Sequence, residues 1–263
     1  MSQDFRLDKG GLINRDKKIS FKFNGKNYFG YEGDTLASAL IANGVHLVGR
    51  SFKYHRPRGF FGASVDEPYA MVQLTRDNVS IPNIRATEQE LFEGLEAKSV
   101  NCWPNVNFDI GAINNLLNKF FPAGFYYKTF MWPKSFWYKI YEPFIRKAAG
   151  FGVVSTNHDQ ERYEHKYEYC DLLVTGSGPS GLASAYAAAK NGANVILAED
   201  KPRFGGSLLT SEVSIGNQSG KEWAEKIISE LKSMPNVTLK NRSQVFGYYD
   251  HNMLVMSERI SDH

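Results

Sequence analysis

Cysteine is scarce: 263 residues hold two, Cys102 and Cys170. Neither lies in a C-x-x-C pair, which excludes a disulfide framework. A Cys-ligated iron–sulfur cluster normally takes four thiolates, so none is expected on this chain alone. No apolar run reaches the ~18 residues of a membrane span. The opening MSQDFRLDKGG has no apolar centre and is not a signal peptide. A reducing, cytoplasmic setting without membrane attachment is the expectation. The six histidines show neither H-x-x-x-H nor H-x-E spacing, so no metal site is expected. No Ser-His-Asp or Cys-His set can be drawn, and no catalytic residue is assigned. The net charge of +3 is too small to imply a polyanion.

What the chain does have is unevenly spread. Residues 1–60 hold 11 Lys and Arg against 5 Asp and Glu, and the remainder 20 against 23. Two alternating runs, Ile19–Phe23 and Lys26–Tyr31, flank Asn24-Gly25, the signature of a type I′ β-hairpin. Asp34 then offers an N-cap carboxylate. Thr35 to Asn43 predicts a helix with Leu36, Leu40 and Ile41 on one face, stopped by Gly44. A hairpin crossed by one helix is how a β-grasp sheet begins. Met71–Thr75 and a helix around Glu88–Leu95 are expected to complete it.

Between Trp103 and Phe151, 49 residues carry 15 of the 36 aromatics. Pro122, Pro133 and Pro143 interrupt the stretch and exclude a long regular element. So much aromatic surface is hard to bury within so short a segment. The stretch reads either as a wrap around a neighbouring domain or subunit, or as a packed connection within the chain.

From Tyr167 onward the pattern changes to alternating strand and helix. DLLVT at 171–175 suits a buried parallel strand, GSGPSG follows, and Leu182–Ala189 is a small-residue helix. Ala193–Ala198 is a second strand, closed by Glu199-Asp200. Trp223, Ile227, Ile228 and Leu231 recur at helical spacing. Val237–Lys240 reads as a strand, and Val245–Tyr249 with Met253–Ser257 as a hairpin.

Gly176-x-Gly178-x-x-Gly181 between strand and helix, with Glu199 following Gly181 by 18 residues, is the dinucleotide fingerprint in its full context. Gly176 permits the tight turn, Gly178 the approach of backbone to a pyrophosphate, and Gly181 the packing of helix on strand. The helix N-terminus at Pro179-Ser180 presents amide hydrogens and a positive dipole end to phosphate. Glu199 would accept ribose hydroxyls and disfavours a 2′-phosphate, while Asp200 and Lys201 flank the same edge. Gly205-Gly206-Ser207 offers a second close approach and a hydroxyl. An adenine dinucleotide without a 2′-phosphate is the expected ligand.

Arg50-Ser51-Phe52-Lys53-Tyr54-His55-Arg56-Pro57-Arg58 interleaves cations and aromatics, a pattern that also binds single-stranded nucleic acid. One short loop on a chain of small net charge reads instead as a solvated or interface loop, and no nucleic-acid partner is expected.

GRSFKYHRPRG at 49–59, AGFYYKTFMWP at 123–133, YEPFIRKAAG at 141–150, CDLLVTGSGPSGLASA at 170–185 and FGGSLL at 204–209 together resemble the α subunit of heterotetrameric sarcosine oxidases, in its N-terminal part. The resemblance implies a fold class of α/β and α+β: a cluster-less ferredoxin-like β-grasp domain, then the first half of a Rossmann-like domain of two-dinucleotide-domain flavoprotein type. It places the β-grasp at 1–100, an aromatic connecting or interface segment at 101–165, and an incomplete NAD(FAD)-binding domain at 166–263. By matching positions it implies contacts from Gly176, Gly178, Ser180, Gly181, Glu199, Asp200, Lys201 and Ser207, with Val245 holding the adenine through its backbone. It implies a complex with β, γ and δ subunits that oxidises sarcosine with O2 and tetrahydrofolate to glycine, 5,10-methylenetetrahydrofolate and hydrogen peroxide. FAD sits in β, FMN between α and β, and folate on a C-terminal region. The family's α subunit is far longer, so the chain is expected to be a fragment whose dinucleotide domain is not closed. A FAD-binding subunit of a related amine or opine dehydrogenase complex and a non-catalytic assembly scaffold are the other readings.

Overall fold

The computed structural model describes residues 3–76, 79–128, 130–158 and 162–261. The chain divides into two compact units, Met1–Glu161 and Arg162–His263.

In the first unit, β1 (Asn14–Phe23) and β2 (Lys26–Glu32) pair antiparallel. Asn24 and Gly25 both take positive φ, 50° and 75°, as a type I′ turn requires. Ile19, Phe21 and Phe23 are buried while Ser20 and Lys22 are exposed, the period of two that sets one face of a strand on a core. Helix α1 (Leu36–Ala42) lays Leu36 and Leu40 onto that face. Its cap departs from expectation. Thr35, not Asp34, is the N-cap, because Ser38 three residues on completes a reciprocal capping box with it. The Asp34 carboxylate instead accepts two hydrogen bonds from Arg6, at 2.7 and 3.1 Å, and one each from Tyr31 N–H at 2.9 Å and Ser38 Oγ at 2.7 Å.

Two short strands, β3 (Gly49–Arg50) and β4 (Pro57–Arg58), pair antiparallel. The main sheet is completed by β5 (Met71–Arg76), β6 (Val79–Arg85) and β7 (Glu96–Ser99), in the order β2-β1-β7-β5-β6 with β1 and β7 parallel. The helix expected around Glu88–Leu95 is absent. Its backbone is already engaged: Leu91 N–H donates to Asp34 O and Gln89 O accepts from Leu36 N–H. Gly94 at φ 79° turns the chain into β7. Leu91 and Leu95 are buried all the same, delivered by turns and not by a helix.

The loop before β5 is organised by one buried carboxylate. Glu67 accepts N–H groups from Phe61 and Gly62 at 2.6 Å, Tyr69 at 2.7 Å and Ala70 at 3.0 Å. Burial pushes its pKa up, but the four amides outweigh this and hold the group below the ordinary glutamate range.

The aromatic stretch is built of short pieces, as its prolines require. They are 3-10 turns at Ile110–Asn115, Asn118–Phe120 and Lys134–Phe136, α2 (Phe125–Lys128), a π turn at Trp137–Tyr141 and α3 (Glu142–Ala149). The basic loop lies against this stretch. Arg50 donates to Val106 O at 2.8 and 2.9 Å, Lys53 Nζ to Pro122 O at 3.0 Å, Tyr54 Oη to Phe121 O at 2.8 Å and Arg56 Nε to Asn115 Oδ1 at 2.8 Å. His55 is buried, with Nδ1 2.6 Å from Asp109 Oδ2 and Nε2 3.1 Å from Ala148 O. Trp132 and Tyr138 remain exposed, each at 83%.

The second unit is built on a parallel sheet in the order β12-β9-β8. Strand β8 (Leu172–Thr175) leads to α4 (Pro179–Lys190), then β9 (Val195–Ala198). A 3-10 turn at Gly206–Leu209 and the small pair β10 (Ser214–Ile215) and β11 (Gln218–Ser219) precede α5 (Gly220–Ser233), β12 (Val237–Lys240) and a hairpin of β13 (Ser243–Tyr249) and β14 (Met253–Glu258). Central β9 is buried along its whole length, whereas β8 forms the edge and leaves Leu172 exposed. Thr175, Ala198 and Lys240 are register partners, so the carboxyl ends of all three strands lie level. Leu182, Leu197, Leu208, Ala224 and Leu231 fill the space between sheet and helices.

Leu40→Ala should lower stability by about 2–5 kcal/mol, read as a shifted urea midpoint at unchanged slope. Glu67→Gln should destabilise most near neutral pH. Because the folded-state pKa of Glu67 is depressed, its contribution is present above the ordinary glutamate pKa and lost as the pH falls through the folded value. The gap between wild type and variant, followed by thermal melts from pH 7 to pH 3, should therefore narrow towards acid.

Candidate dinucleotide site

The site lies at the level carboxyl ends of β8, β9 and β12, where open parallel sheets carry their ligands. At the end of β8 the Gly176 N–H still donates to Ala198 O, at 2.7 Å, and the chain then turns at φ 89°. Gly178 is the N-cap of α4, and no side chain caps that end. Pro179 occupies the first helical position, where no N–H is needed. The remaining first-turn amides lack intrahelical acceptors.

The glycines differ in what they permit. A Cβ on Gly178 would meet nothing within 4 Å, so open space stands over the turn. A Cβ on Gly181 would lie 1.9 Å from Gly176 O, so helix and strand end touch there. A Cβ on Gly206 would lie 2.9 Å from Gly178 Cα, and Gly206 takes φ 52°. The second glycine loop thus rests directly on the first.

Glu199 is 4% exposed at the tip of β9. Its Oε2 accepts the Ser177 N–H at 2.8 Å and the Ser177 hydroxyl, and its Oε1 accepts the Lys201 N–H at 3.0 Å. Burial pushes the Glu199 carboxyl up. Hydrogen bonds from Asp200, from Ser177 through hydroxyl and amide, and from the Lys201 amide outweigh it and hold the group below the usual range. Asp200 moves the other way, up to about 6, through burial and then its hydrogen bond to and repulsion by Glu199. Lys201 Nζ stands 3.5 Å from Asp200 Oδ2, and burial lowers its pKa.

Gly176, Gly178, Pro179, Ser180 and Gly181 therefore form one turn, with Glu199, Gly205 and Gly206 brought against it. Asp200 and Lys201 form the adjoining rim. Ser207 is exposed on the 3-10 turn that follows. Val245 is half-buried on β13, whose first residue, Ser243, donates its N–H to Glu199 O at 2.8 Å. Ser177 and Ser243, which the fingerprint does not single out, also belong to this arrangement. The signal for Ser177 was available: a hydroxyl between the first two glycines stands where the strand-tip acid must come. Among the described residues, no cluster of three or more His, Cys, Asp or Glu forms a metal site, and no helix is long and apolar enough to cross a membrane.

Two family models match the chain: a 2Fe-2S iron-sulfur cluster binding domain over residues 16–102, and an FAD dependent oxidoreductase over 171–247. They correct the expectation of NAD with no iron–sulfur cluster. The physical reason is that a glycine turn with a strand-tip acid recognises the ADP half that NAD and FAD share, so those residues do not separate the two. The thiol count in turn reports on ligands and not on the kind of domain. Cys102 lies within the first match and Cys170 outside it, both as free thiols. This donor set does not fit a cluster held by four thiolates. The glycine turn does fit a dinucleotide, because Gly178 leaves open the volume that a phosphate needs.

The chain is 52% identical over 98% of its length to sarcosine oxidase subunit alpha of Rhizobium meliloti (strain 1021), covering 26% of that protein. To sarcosine oxidase subunit alpha of Corynebacterium sp. (strain U-96) it is 28% identical over 97% of its length, covering 22% of that protein. Among solved structures, L-proline dehydrogenase from P. horikoshii matches with a TM-score of 0.56 at 17% identity, over 94% of this chain and 38% of that one, a likeness of fold alone. The chain spans about a quarter of the length of the curated relatives it matches, and over that length it is a homologue of sarcosine oxidase alpha subunits.

Proposed function

We propose that the second unit holds the ADP half of FAD as part of an amine-oxidising enzyme of the sarcosine oxidase kind. The dinucleotide part of this reading is carried by the convergence at the carboxyl end of the sheet: open space over Gly178, an uncapped helix N-terminus, and the carboxylate of Glu199 held against the turn. The match of residues 171–247 to FAD dependent oxidoreductases supports FAD over NAD. The first-turn amides of α4 would face the pyrophosphate, and Glu199 would accept from the ribose hydroxyls. Gly205, Gly206 and Ser207 would border the phosphates, Asp200 and Lys201 the ribose edge, and Val245 the adenine. A bound flavin supplies two-electron oxidation of the amine. This chain's own part is to bind and orient, and no side chain here is assigned to the oxidation itself.

The complex would take sarcosine, O2 and tetrahydrofolate to glycine, 5,10-methylenetetrahydrofolate and hydrogen peroxide, with β, γ and δ subunits as partners. The 52% identity to one sarcosine oxidase alpha subunit supports this choice of substrate. Two free cysteines accord with a reducing, cytoplasmic setting.

Nucleotide extracted from the purified full chain should prove to be FAD on chromatography; a nicotinamide dinucleotide in its place, or no nucleotide even after incubation with FAD, overturns the reading. Gly178→Val and Gly181→Ala should fail differently. The first places its side chain in open space, so the nucleotide-free melting temperature should hold while FAD occupancy falls at least about tenfold, a change of about 1.4 kcal/mol. The second meets a backbone oxygen and should lower the nucleotide-free melting temperature itself.

A further inference from the structure

Ser177 joins three separate pieces of the site. Its side chain is fully buried. Its N–H and its hydroxyl both donate to Glu199 Oε2, and its Oγ accepts the Gly205 N–H at 2.9 Å. The direction of the hydroxyl is forced. Gly205 N–H can only donate, so the Ser177 hydrogen must go to the carboxylate. Two donors then converge on Oε2, which leaves that oxygen no place for a proton of its own. With the Lys201 N–H on Oε1, the side chain of Glu199 is held as an anion in one orientation. The same Oγ anchors the loop whose next residue, Gly206, rests on Gly178.

We propose that Ser177 is a positioning residue of the dinucleotide site, its hydroxyl setting the Glu199 carboxylate for ribose hydroxyls and seating the Gly205-Gly206 loop beside the phosphates. This rests on the reading of the second unit as an FAD site. It assigns to that site an adenine dinucleotide with a free ribose diol, since a carboxylate fixed as an anion repels a 2′-phosphate.

The test is a double-mutant cycle on the full chain, with FAD binding followed by flavin fluorescence. Ser177→Ala should weaken FAD about tenfold, the order expected for one hydrogen bond to a charged group. Glu199→Ala should weaken it at least as much, and the loss in the double variant should fall clearly short of the two single losses combined. The part of Ser177's effect that sets the carboxylate is already gone in Glu199→Ala, while its hold on the Gly205 N–H remains. Ser177→Thr, which keeps the hydroxyl, should restore binding. Equal losses from Ser177→Ala in both backgrounds, or wild-type affinity in Ser177→Ala, would overturn the proposal. Should Ser177→Ala not fold, Ser177→Thr against Ser177→Cys carries the same comparison: retained affinity in the first and loss in the second support it, and equal affinities overturn it. A wild-type chain that binds no FAD removes the underlying site reading, a result distinct from an additive cycle.

Discussion

A carboxylate taken out of water must find donors, and in this protein that requirement organises the loops. Asp34, Glu67, Asp109 and Glu199 are all buried, and each is surrounded by N–H groups or a cation. An unpaired charge in such places would cost several kcal/mol, so each loop takes the path that satisfies its acid. Glu199 has the widest reach. Its side chain draws the turn after β8 and the amide of Lys201 onto the tip of β9, and its main chain joins β12 and β13. The candidate site is shaped by backbone amides more than by side chains.

The first unit uses the same device for a different end. Glu67 gathers four amides from one loop and leaves no capacity for an external partner. Asp109 accepts from Trp103 N–H and Gly111 N–H while standing against His55, which binds the basic loop to the segment that follows it. Arg50 and Lys53 of that loop reach main-chain carbonyl oxygens of the aromatic stretch and Arg56 the Asn115 side chain, so the loop is strapped to it within the unit.

Much of the plan could be read from residues alone. Asn24-Gly25, the alternation through Phe21 and Phe23, and the glycine turn with its acid are local signals, and the hairpin, β8, α4 and β9 formed near their expected positions. The failures share a cause. Asp34 resembled a cap until Arg6, 28 residues away, claimed its carboxylate. Residues 88–95 had helical spacing at Leu91 and Leu95, but pairing with Asp34 and Leu36 consumed their backbone groups. Ser177 carries no local signal of its partners, because Glu199 and Gly205 are 22 and 28 residues away.

The sequence by itself determined the turns, the strand faces and the presence of a nucleotide-type turn, because each depends on backbone freedom or side-chain period within a few residues. Tertiary structure alone decided which carboxylates are buried and which donors they receive, since that depends on chain segments that meet only in the fold. The choice between two cofactors sharing one half lies beyond the turn for the same reason: a glycine turn with a strand-tip acid suits the shared half alone.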